Sequence, residues 1–214
     1  MSIPPTLTFE ERWSLKGKTA LVTGGTRGLG YAIVEELGKL GATVFTCART
    51  REHLDAALTD WKASGLDVHG CVADMKDLES RKDLIREAGK IFKSLDILVN
   101  NVGTNIRKPT EEFTPEEFHH IMATNLESAF SLSQLAHPLL AAAGNSSIVF
   151  NSSVAGVVAL RSGSVYAATK GTASPFARPG TLGHVHLVPP THRDALSRAG
   201  AGEHAPSRCM DPEA

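Results

Sequence analysis

The chain has 214 residues, with 22 Lys or Arg, 23 Asp or Glu and a formal net charge of -1. This balance argues against nucleic acid or an anionic membrane as the main partner. The sequence has no apolar run of about 20 residues, the length that crosses a bilayer. Its first residues lack the order of a signal peptide. Cys47, Cys71 and Cys209 show no metal-ligand spacing, which favours reduced thiols in a cytoplasmic protein.

Five β-prone apolar segments alternate with helical patterns between about residues 18 and 170. The strand segments are TALVT, TVFTC, LDVHGCVAD, LDILVNN and SSIVFNSS. The helical segments between them are LGYAIVEELGKLGA, TREHLDAALTDWKASG, DLESRKDLIREAGKIF and TPEEFHHIMATNLESAFSLSQLAHPLL. Continuous apolar strands joined by helical crossovers are typical of a parallel sheet. The pattern therefore predicts an α/β fold with a Rossmann-like, doubly wound parallel sheet.

The boundaries of two helices can also be predicted. Thr50 is able to cap the start of the second helix, and Gly65 lies near its end. Thr114 caps the long helix, with Pro115 at its first position. We expect TPEEFHHIMATNLESAFSLSQLAHPLL to form one long helix.

The composition changes after Gly171. Residues 171–214 contain six of the eleven prolines and neither Lys, Ile nor Tyr, with HVHLV as the one strand-like run. Such a segment buries too little apolar surface to offset its loss of chain entropy. We therefore expect a sheet truncated after the fifth strand, with an open apolar edge, and a mostly disordered tail. The missing residues have AT-rich codons, which suggests a frameshift or an alternative splice as the origin of the tail.

These patterns divide the chain into three parts. Residues 1–17 form an N-terminal extension, 18–171 a dinucleotide-binding domain that includes the catalytic residues, and 172–214 an aberrant tail of low order. Pro175 should end the last helix of the domain near Ala173 or Ser174, because proline lacks the N–H and clashes with the preceding turn.

Residues 23–30, TGGTRGLG, lie between the first strand and the first helix of the alternating pattern. Gly24, Gly28 and Gly30 allow a sharp turn and a close approach of the backbone to a pyrophosphate. The following helix N-terminus offers free N–H groups and a partial positive charge. The spacing is Gly-x-x-x-Gly-x-Gly, which leaves two interpretations open: a dinucleotide-binding site, or a tight turn that binds no ligand.

The end of the second strand discriminates between two cofactors. A carboxylate there would bind the ribose 2′-hydroxyl of NAD. The sequence instead has Ala48 and Arg49, and Arg27 adds a second guanidinium from the glycine turn. Two guanidinium groups suit a 2′-phosphate, so NADP(H) is predicted over NAD. The alternative is that Arg49 and Arg51 are ordinary solvated side chains.

Tyr166 and Lys170 are four residues apart and share one helix face. A Lys ammonium favours the phenolate of a nearby Tyr, so this Tyr can exchange a proton with a carbonyl oxygen. Ser153 follows the fifth strand and could hold the same oxygen. Such a pair alone is more often a surface contact, and its weight comes from following the glycine turn and five strands.

With these motifs the chain resembles the classical short-chain dehydrogenase/reductases, and most closely their plant tropinone-reductase-like group. The resemblance covers residues 14–171 and is carried by TGGTRGLG, CART, VADM, NNVG, MATNLESAFSLSQLAHPLL, IVFNSSVAG and YAATK. It implies a homo-oligomeric enzyme whose long helix and Tyr–Lys helix form the main subunit interface. None of the family's later segments, including a sixth strand and a substrate-covering loop, matches residues 171–214. The interface here is therefore expected to be incomplete.

The resemblance also implies a set of site residues. Asn125, Ser153, Tyr166 and Lys170 match the catalytic set, in which Asn125 helps to hold a proton-relay water beside the Lys. Asp74 would lie near the adenine, and Asn100 would support the central sheet and cofactor. The cofactor-binding set is Thr23, Gly24, Thr26, Arg27, Gly28, Leu29, Gly30, Arg49, Asp74, Met75, Asn101, Val102, Gly103, Tyr166 and Lys170. Val102 departs from the family's usual Ala, and we expect its two extra methyl groups to crowd the site slightly beside the nicotinamide ribose.

Three functions remain open at this point. The first is an NADP(H)-dependent reductase that converts a small or cyclic ketone of secondary metabolism to an alcohol. The second is a truncated, inactive product with residual NADP binding, and the third is a non-catalytic partner of full-length homologues. No metal site is predicted, because neither a carboxylate nor a Cys completes the pair His184 and His186.

Overall fold

The computed structural model describes residues 8–158, 163–172 and 184–188, with six strands among them. The strands are β1 (Thr19–Thr23), β2 (Thr43–Ala48), β3 (Val68–Val72), β4 (Ile97–Asn100), β5 (Ser147–Asn151) and β6 (His184–Val188). Their order in the sheet is β3-β2-β1-β4-β5-β6, and each neighbouring pair is parallel. The chain moves outward from β1 to one edge and then returns to build the other side. The predicted Rossmann-like, doubly wound parallel sheet is confirmed.

The helices of the described residues are α1 (Phe9–Trp13), α2 (Gly28–Lys39), α3 (Arg51–Ala63), α4 (Leu78–Ile91), α5 (Pro115–Met122), α6 (Ser128–Ala142) and α7 (Ser164–Gly171). Thr50 occupies the cap position of α3 but makes no side-chain hydrogen bond there, so its predicted capping bond is absent. Gly65 follows the same helix with a φ of 72°, a conformation that glycine adopts easily. No helix of the described residues is long and apolar enough to cross a membrane.

Two apolar cores lie on opposite faces of the sheet. Leu21 of β1 belongs to the core that includes Leu84 of α4 and Leu132 of α6. The next residue, Val22, belongs to the core that includes Val34 of α2 and side chains of α3. This alternation follows from the two-residue period of a strand. The helices on both faces leave the strand ends to carry the polar side chains.

The predicted long helix contains a change of helical type. Its start is as expected, because Thr114 and Glu117 form a capping box and Pro115 occupies the first turn of α5. Residues Ala123–Glu127 then form a π-helical segment that joins α5 to α6. Single π turns inside α-helices are often found at functional sites. This segment contains Asn125.

The sheet continues beyond its fifth strand, which corrects the expectation of an open edge at β5. The segment HVHLV forms β6 and pairs in parallel with β5, from Ser147 with His184 to Asn151 with Val188. A β-branched, apolar segment is able to pair with the backbone groups that β5 would otherwise leave unpaired. The expected disorder of the tail concerns residues that, apart from Thr172 and β6, lie outside the described residues.

Helix α7 is short. It has eight residues and ends at Gly171, with the Thr172 N–H bonded to the Ala168 carbonyl at 3.2 Å. The predicted end near Ala173 or Ser174 falls outside the described residues. About two turns of isolated helix are marginal in water, so α7 depends on its tertiary contacts.

Candidate active site

The glycine turn joins β1 to α2 and contains two residues in the left-handed region. Gly24 has a φ of 68° and Gly28 a φ of 57°, which favours glycine at both positions. Gly30 allows a close approach, because a Cβ atom on it would lie 2.2 Å from the Gly24 carbonyl oxygen. No side chain caps the start of α2, and its first turn contains no acidic residue. The backbone N–H groups at the start of α2 can therefore bind an anion.

Partly buried hydrogen bonds fasten the glycine turn to the turn that follows β4. The Thr23 hydroxyl oxygen accepts from the backbone N–H groups of Asn101, at 3.0 Å, and Val102, at 3.1 Å. The Asn101 amide donates in return to the carbonyl oxygens of Thr23, at 2.9 Å, and Gly24, at 3.3 Å. The turn after β4 thus holds the turn after β1. Asn100 instead donates to the Ser133 hydroxyl of α6, at 3.2 Å, and ties that helix to the sheet.

The residues that follow β2 and β3 extend the candidate site from the glycine turn toward the β3 edge of the sheet. Arg49 follows β2 and is exposed, as is Arg27 at the cap position of α2. Among the described residues, neither guanidinium forms an ion pair with a carboxylate. Asp74 accepts a hydrogen bond from the Lys76 N–H at 3.0 Å, and Met75 is buried beside it. The Arg side chains are therefore available to an anionic group of a ligand.

Tyr166 and Lys170 lie on one face of α7, and the Lys170 Nζ is 5.7 Å from the Tyr166 ring centroid. The amine donates to the Asn151 carbonyl oxygen at 2.7 Å. Burial lowers the pKa of Lys170 from 10.5 to about 8, because desolvation disfavours the ammonium. Gly103 lies beside this amine, since a Cβ atom on it would be 3.3 Å from Nζ.

Ser153 caps a 3₁₀ turn, Val154–Gly156, that packs against α7. Its hydroxyl oxygen accepts from the Ala155 N–H at 3.2 Å, which leaves its own proton available for donation. Gly156 and Gly171 allow the turn and the helix to touch, because a Cβ atom on Gly156 would lie 2.8 Å from the Lys170 carbonyl carbon. The serine and the Tyr–Lys helix are thereby held together.

Asn125 is buried in the π segment and connects three parts of the site. Its Oδ1 accepts from the Thr104 N–H at 2.7 Å, and its Nδ2 donates to the Thr104 carbonyl at 2.9 Å and the Thr169 hydroxyl at 3.1 Å. The side chain thus joins the loop after β4 to α7. Its expected role in holding a water beside Lys170 stays a prediction.

The two cysteines of the described residues, Cys47 and Cys71, are not suited to act as nucleophiles. Burial raises the pKa of Cys47 to about 12 and that of Cys71 to about 11, so both are thiols at neutral pH. Within the described residues, no group of three His, Cys, Asp or Glu side chains could hold a metal ion. The side chains of His184 and His186 lie outside the described set.

This geometry can be compared with known proteins. The short chain dehydrogenase family matches residues 18–182. The chain belongs to the short-chain dehydrogenase/reductase family. A tropinone reductase homolog from Arabidopsis thaliana is 61% identical over 170 residues, covering 79% of this chain and 64% of the relative. A tropinone reductase homolog from Datura stramonium is 53% identical over 163 residues, covering 76% and 61%. The chain thus spans less than two thirds of the length of these relatives.

Solved structures of the family show the same fold. A metagenomic short-chain oxidoreductase in complex with NADP has a TM-score of 0.76 and 31% identity, covering 82% of this chain and 83% of that chain. An actinorhodin polyketide ketoreductase variant with NADPH has a TM-score of 0.72 and 29% identity, covering 75% and 62%. The sheet and its helices are therefore those of short-chain dehydrogenases/reductases.

Sequence reasoning missed two residues that shape the short-chain dehydrogenase/reductase site here. Gly25 packs on Thr46 of β2, since a Cβ atom on Gly25 would lie 2.2 Å from the Thr46 hydroxyl oxygen. That hydroxyl accepts from the Gly25 N–H at 3.1 Å and donates to the Val22 carbonyl at 2.7 Å. The adjacent glycines after β1 were a possible signal for Gly25. A buried Thr in the middle of β2 gave none.

Proposed function

We propose that the chain is an NADP(H)-dependent oxidoreductase that reduces a small or cyclic ketone to an alcohol. The observation that carries the proposal is the joint placement of Tyr166, Lys170 and Ser153 at the carboxyl ends of the strands, beside the glycine turn. Ligands of open α/β sheets bind at this edge. The reverse reaction, oxidation of the alcohol to the ketone, would use the same three side chains.

The residues at the turn fit a dinucleotide. Gly24 and Gly28 supply the sharp turn, and Gly30 keeps the start of α2 against it. The uncapped N–H groups of α2 suit a pyrophosphate. The exposed side chains of Arg27 and Arg49 suit a 2′-phosphate by charge and by bidentate hydrogen bonding. NADP and NADPH in the two solved relatives support the same choice.

The acid–base step belongs to α7. A nicotinamide cofactor supplies the hydride for carbonyl reduction when it is bound. Tyr166 donates its phenolic proton to the carbonyl oxygen, and the Lys170 ammonium stabilises the phenolate that remains. Ser153 donates a hydrogen bond to the same oxygen, while its own oxygen still accepts from Ala155. Because the Lys170 pKa is about 8, its positive charge is lost as the pH rises above that value.

The test is ketone-dependent oxidation of NADPH by the purified chain, followed by absorbance with a panel of small cyclic ketones. We expect turnover by the wild type and its loss in Tyr166→Phe, by roughly 100-fold or more, since that variant keeps the ring but lacks the proton. Tyr166→Phe should still bind NADPH, with an affinity reduced by no more than the loss of one hydrogen bond, because the Tyr166 hydroxyl also belongs to the predicted cofactor-binding set. Wild-type turnover that Tyr166→Phe leaves intact would contradict the proposal.

A second candidate is cofactor binding without turnover, with the chain acting as a partner of full-length homologues. One observation favours it. An apolar groove of about 520 Å³ lies along α5 and α6, lined by side chains that include Met122, Ala123 and Leu126. Co-purification of the chain with a full-length homologue, and its loss in Leu126→Lys, distinguishes this candidate from an enzyme that acts alone.

For the cellular location we propose the cytoplasm. One Arabidopsis thaliana relative, a tropinone reductase homolog 53% identical over 173 residues, is named as chloroplastic. A fluorescent fusion of the chain distinguishes the two compartments, and signal confined to the chloroplast would overturn the proposal.

A further inference from the structure

Asn151 contacts both halves of the site. It is the last residue of β5, and its side-chain Nδ2 donates to Asn101 Oδ1 at 2.9 Å. Its backbone carbonyl oxygen accepts from the Lys170 amine at 2.7 Å. Asn101 is fastened to the glycine turn, and Lys170 belongs to the acid–base pair. One residue therefore lies between the cofactor turn and the catalytic helix.

The register of the sheet explains this position. Asn100 of β4 pairs with Phe150 of β5, so the residues that follow them are neighbours at the carboxyl end. Residues alternate between the two faces of a strand. Asn101 and Asn151 therefore share the face of Val149, which packs against the core of α2 and α3. Asn100 lies on the opposite face and reaches α6.

The hydrogen-bond partners of Asn101 fix the orientation of its side-chain amide. Its Nδ2 donates to the carbonyl oxygens of Thr23 and Gly24, which can only accept. Its Oδ1 must then face Asn151, and only a donor at position 151 completes the chain. An apolar side chain there would leave a partly buried acceptor without its partner, and a carboxylate would place two acceptors together.

The same short segment holds Lys170 at two points. Besides the amine contact of Asn151, the Ser152 hydroxyl donates to the Lys170 carbonyl oxygen at 3.1 Å. Among the described residues, the Asn151 carbonyl is the hydrogen-bond acceptor found for the Lys170 amine. A displacement of the end of β5 would therefore move the amine relative to the glycine turn.

We propose that Asn151 is a positioning residue for the reduction. Through Asn101 it fixes the end of β5 to the glycine turn, and through its carbonyl it sets where the Lys170 amine lies relative to a cofactor bound in that turn. This inference rests on the proposed function. It assigns to Asn151 a coupling between cofactor affinity and catalysis, in addition to its packing in the sheet.

The test compares Asn151→Leu, which keeps the size and removes the donor, with Asn151→Asp, which keeps the shape and replaces the donor by an acceptor. The matched controls are Asn145→Leu and Asn145→Asp, because Asn145 is exposed and lies two residues before the start of β5, away from the site. Both Asn151 variants should weaken NADPH binding about tenfold, the loss expected for one partly buried hydrogen bond. In an Asn101→Ala background the same substitutions should have no further effect, because the chain is already broken. Wild-type affinity in the Asn151 variants, or additive losses in the double variants, would overturn the proposal.

Hydrogen exchange of the free chain separates this inference from the proposed function. Asn151→Leu should speed exchange in both residues 23–30 and α7, whereas Asn145→Leu should change neither. Unchanged exchange in either segment would overturn the positioning role and leave the proposed function standing. If Asn151→Leu speeds exchange in both segments but the wild-type chain binds no NADPH, the proposed function alone is overturned.

Discussion

The glycine turn and α7, the helix of Tyr166 and Lys170, are stabilised in opposite ways. In the turn, the residues that would bind a cofactor also hold the fold. Thr23 and Asn101 satisfy each other's polar groups, and Thr46 satisfies the Gly25 N–H and the Val22 carbonyl. In α7, the lysine that we propose for catalysis is a cost to the fold. Lys170 is partly buried, and desolvation lowers its pKa to about 8.

This difference separates two kinds of functional residue. A substitution in the turn should damage folding and binding together, because the same hydrogen bonds serve both. A substitution of the catalytic lysine should remove activity and increase stability, as expected for a site that keeps a charged group in a poorly solvated place. The following predictions test this contrast, beginning with the largest expected effect.

Gly30→Ala should abolish measurable NADPH binding, with a loss of roughly 100-fold or more. The new methyl group would lie 2.2 Å from the Gly24 carbonyl oxygen and 2.6 Å from Asn101 Nδ2, so the turn must open. The matched control is Gly89→Ala in α4, where a Cβ atom meets nothing within 4 Å. That control should stabilise the chain by about 0.5–1 kcal/mol through helix propensity. Fluorescence titration with NADPH measures the first effect, and wild-type affinity in Gly30→Ala would contradict it.

Lys170→Met should stabilise the chain at pH 7 by roughly 3 kcal/mol or less, while abolishing turnover. The folded-state pKa of Lys170 lies below its unfolded value, so the unfolded chain binds more protons between about pH 8 and 10.5. The wild type therefore gains stability as the pH rises through this window, and the advantage of Lys170→Met disappears above it. Urea unfolding of both chains at pH 7 and above 10.5 measures this. A wild type more stable than the variant at pH 7 would count against the contrast.

Asn125→Leu should loosen α7 more than the turn. The substitution removes the hydrogen bonds from the π segment to Thr104 and Thr169, at a cost of about 1–3 kcal/mol. Hydrogen exchange should rise in α7 and remain slow in residues 23–30. The matched control is the exposed Asn105→Leu in the same loop, which should change neither segment. Equal loosening of both segments would show that the two regions unfold as one unit.

Arg49→Ala should change the choice of cofactor with little effect on the fold. The side chain is exposed and, among the described residues, forms no ion pair, so its loss should not destabilise the chain. NADPH affinity should fall about tenfold while NADH affinity stays the same, because only NADPH carries the 2′-phosphate. Arg51→Ala is the control, since Arg51 lies in α3 and pairs with Asp55 at 3.8 Å. An equal loss for both cofactors would contradict the assigned role.

Much of the fold could be predicted because its signals are local. Apolar segments and helical spacing predicted five strands and the crossovers between them. Thr114 and Pro115 predicted the start of α5 correctly. The π segment around Asn125 was not predictable, because its residues have ordinary helical character and the change of type depends on tertiary contacts. β6 was not predicted as part of the sheet, because HVHLV alone is a weak strand signal and its strand depends on pairing with β5.

The candidate site was predictable only where residue type alone indicates chemistry. Gly24, Arg49, Tyr166 and Lys170 have patterns that point to a dinucleotide or to proton transfer. Thr46 and Asn151 do not, because a Thr in a strand and an Asn at its end have many uses. Their roles follow from distances across the sheet, such as 2.9 Å from Asn151 Nδ2 to Asn101 Oδ1.

The most direct test of the account is transfer of deuterium to a ketone from NADPH that carries deuterium at both C4 positions of its nicotinamide ring, with the product analysed by mass spectrometry. The account predicts an alcohol that carries one deuterium with the wild type. With Tyr166→Phe or Lys170→Met it predicts roughly 100-fold less labelled alcohol, or none, although both variants still bind NADPH. A wild-type chain that binds NADPH and yields no labelled alcohol from any ketone of the panel would contradict it.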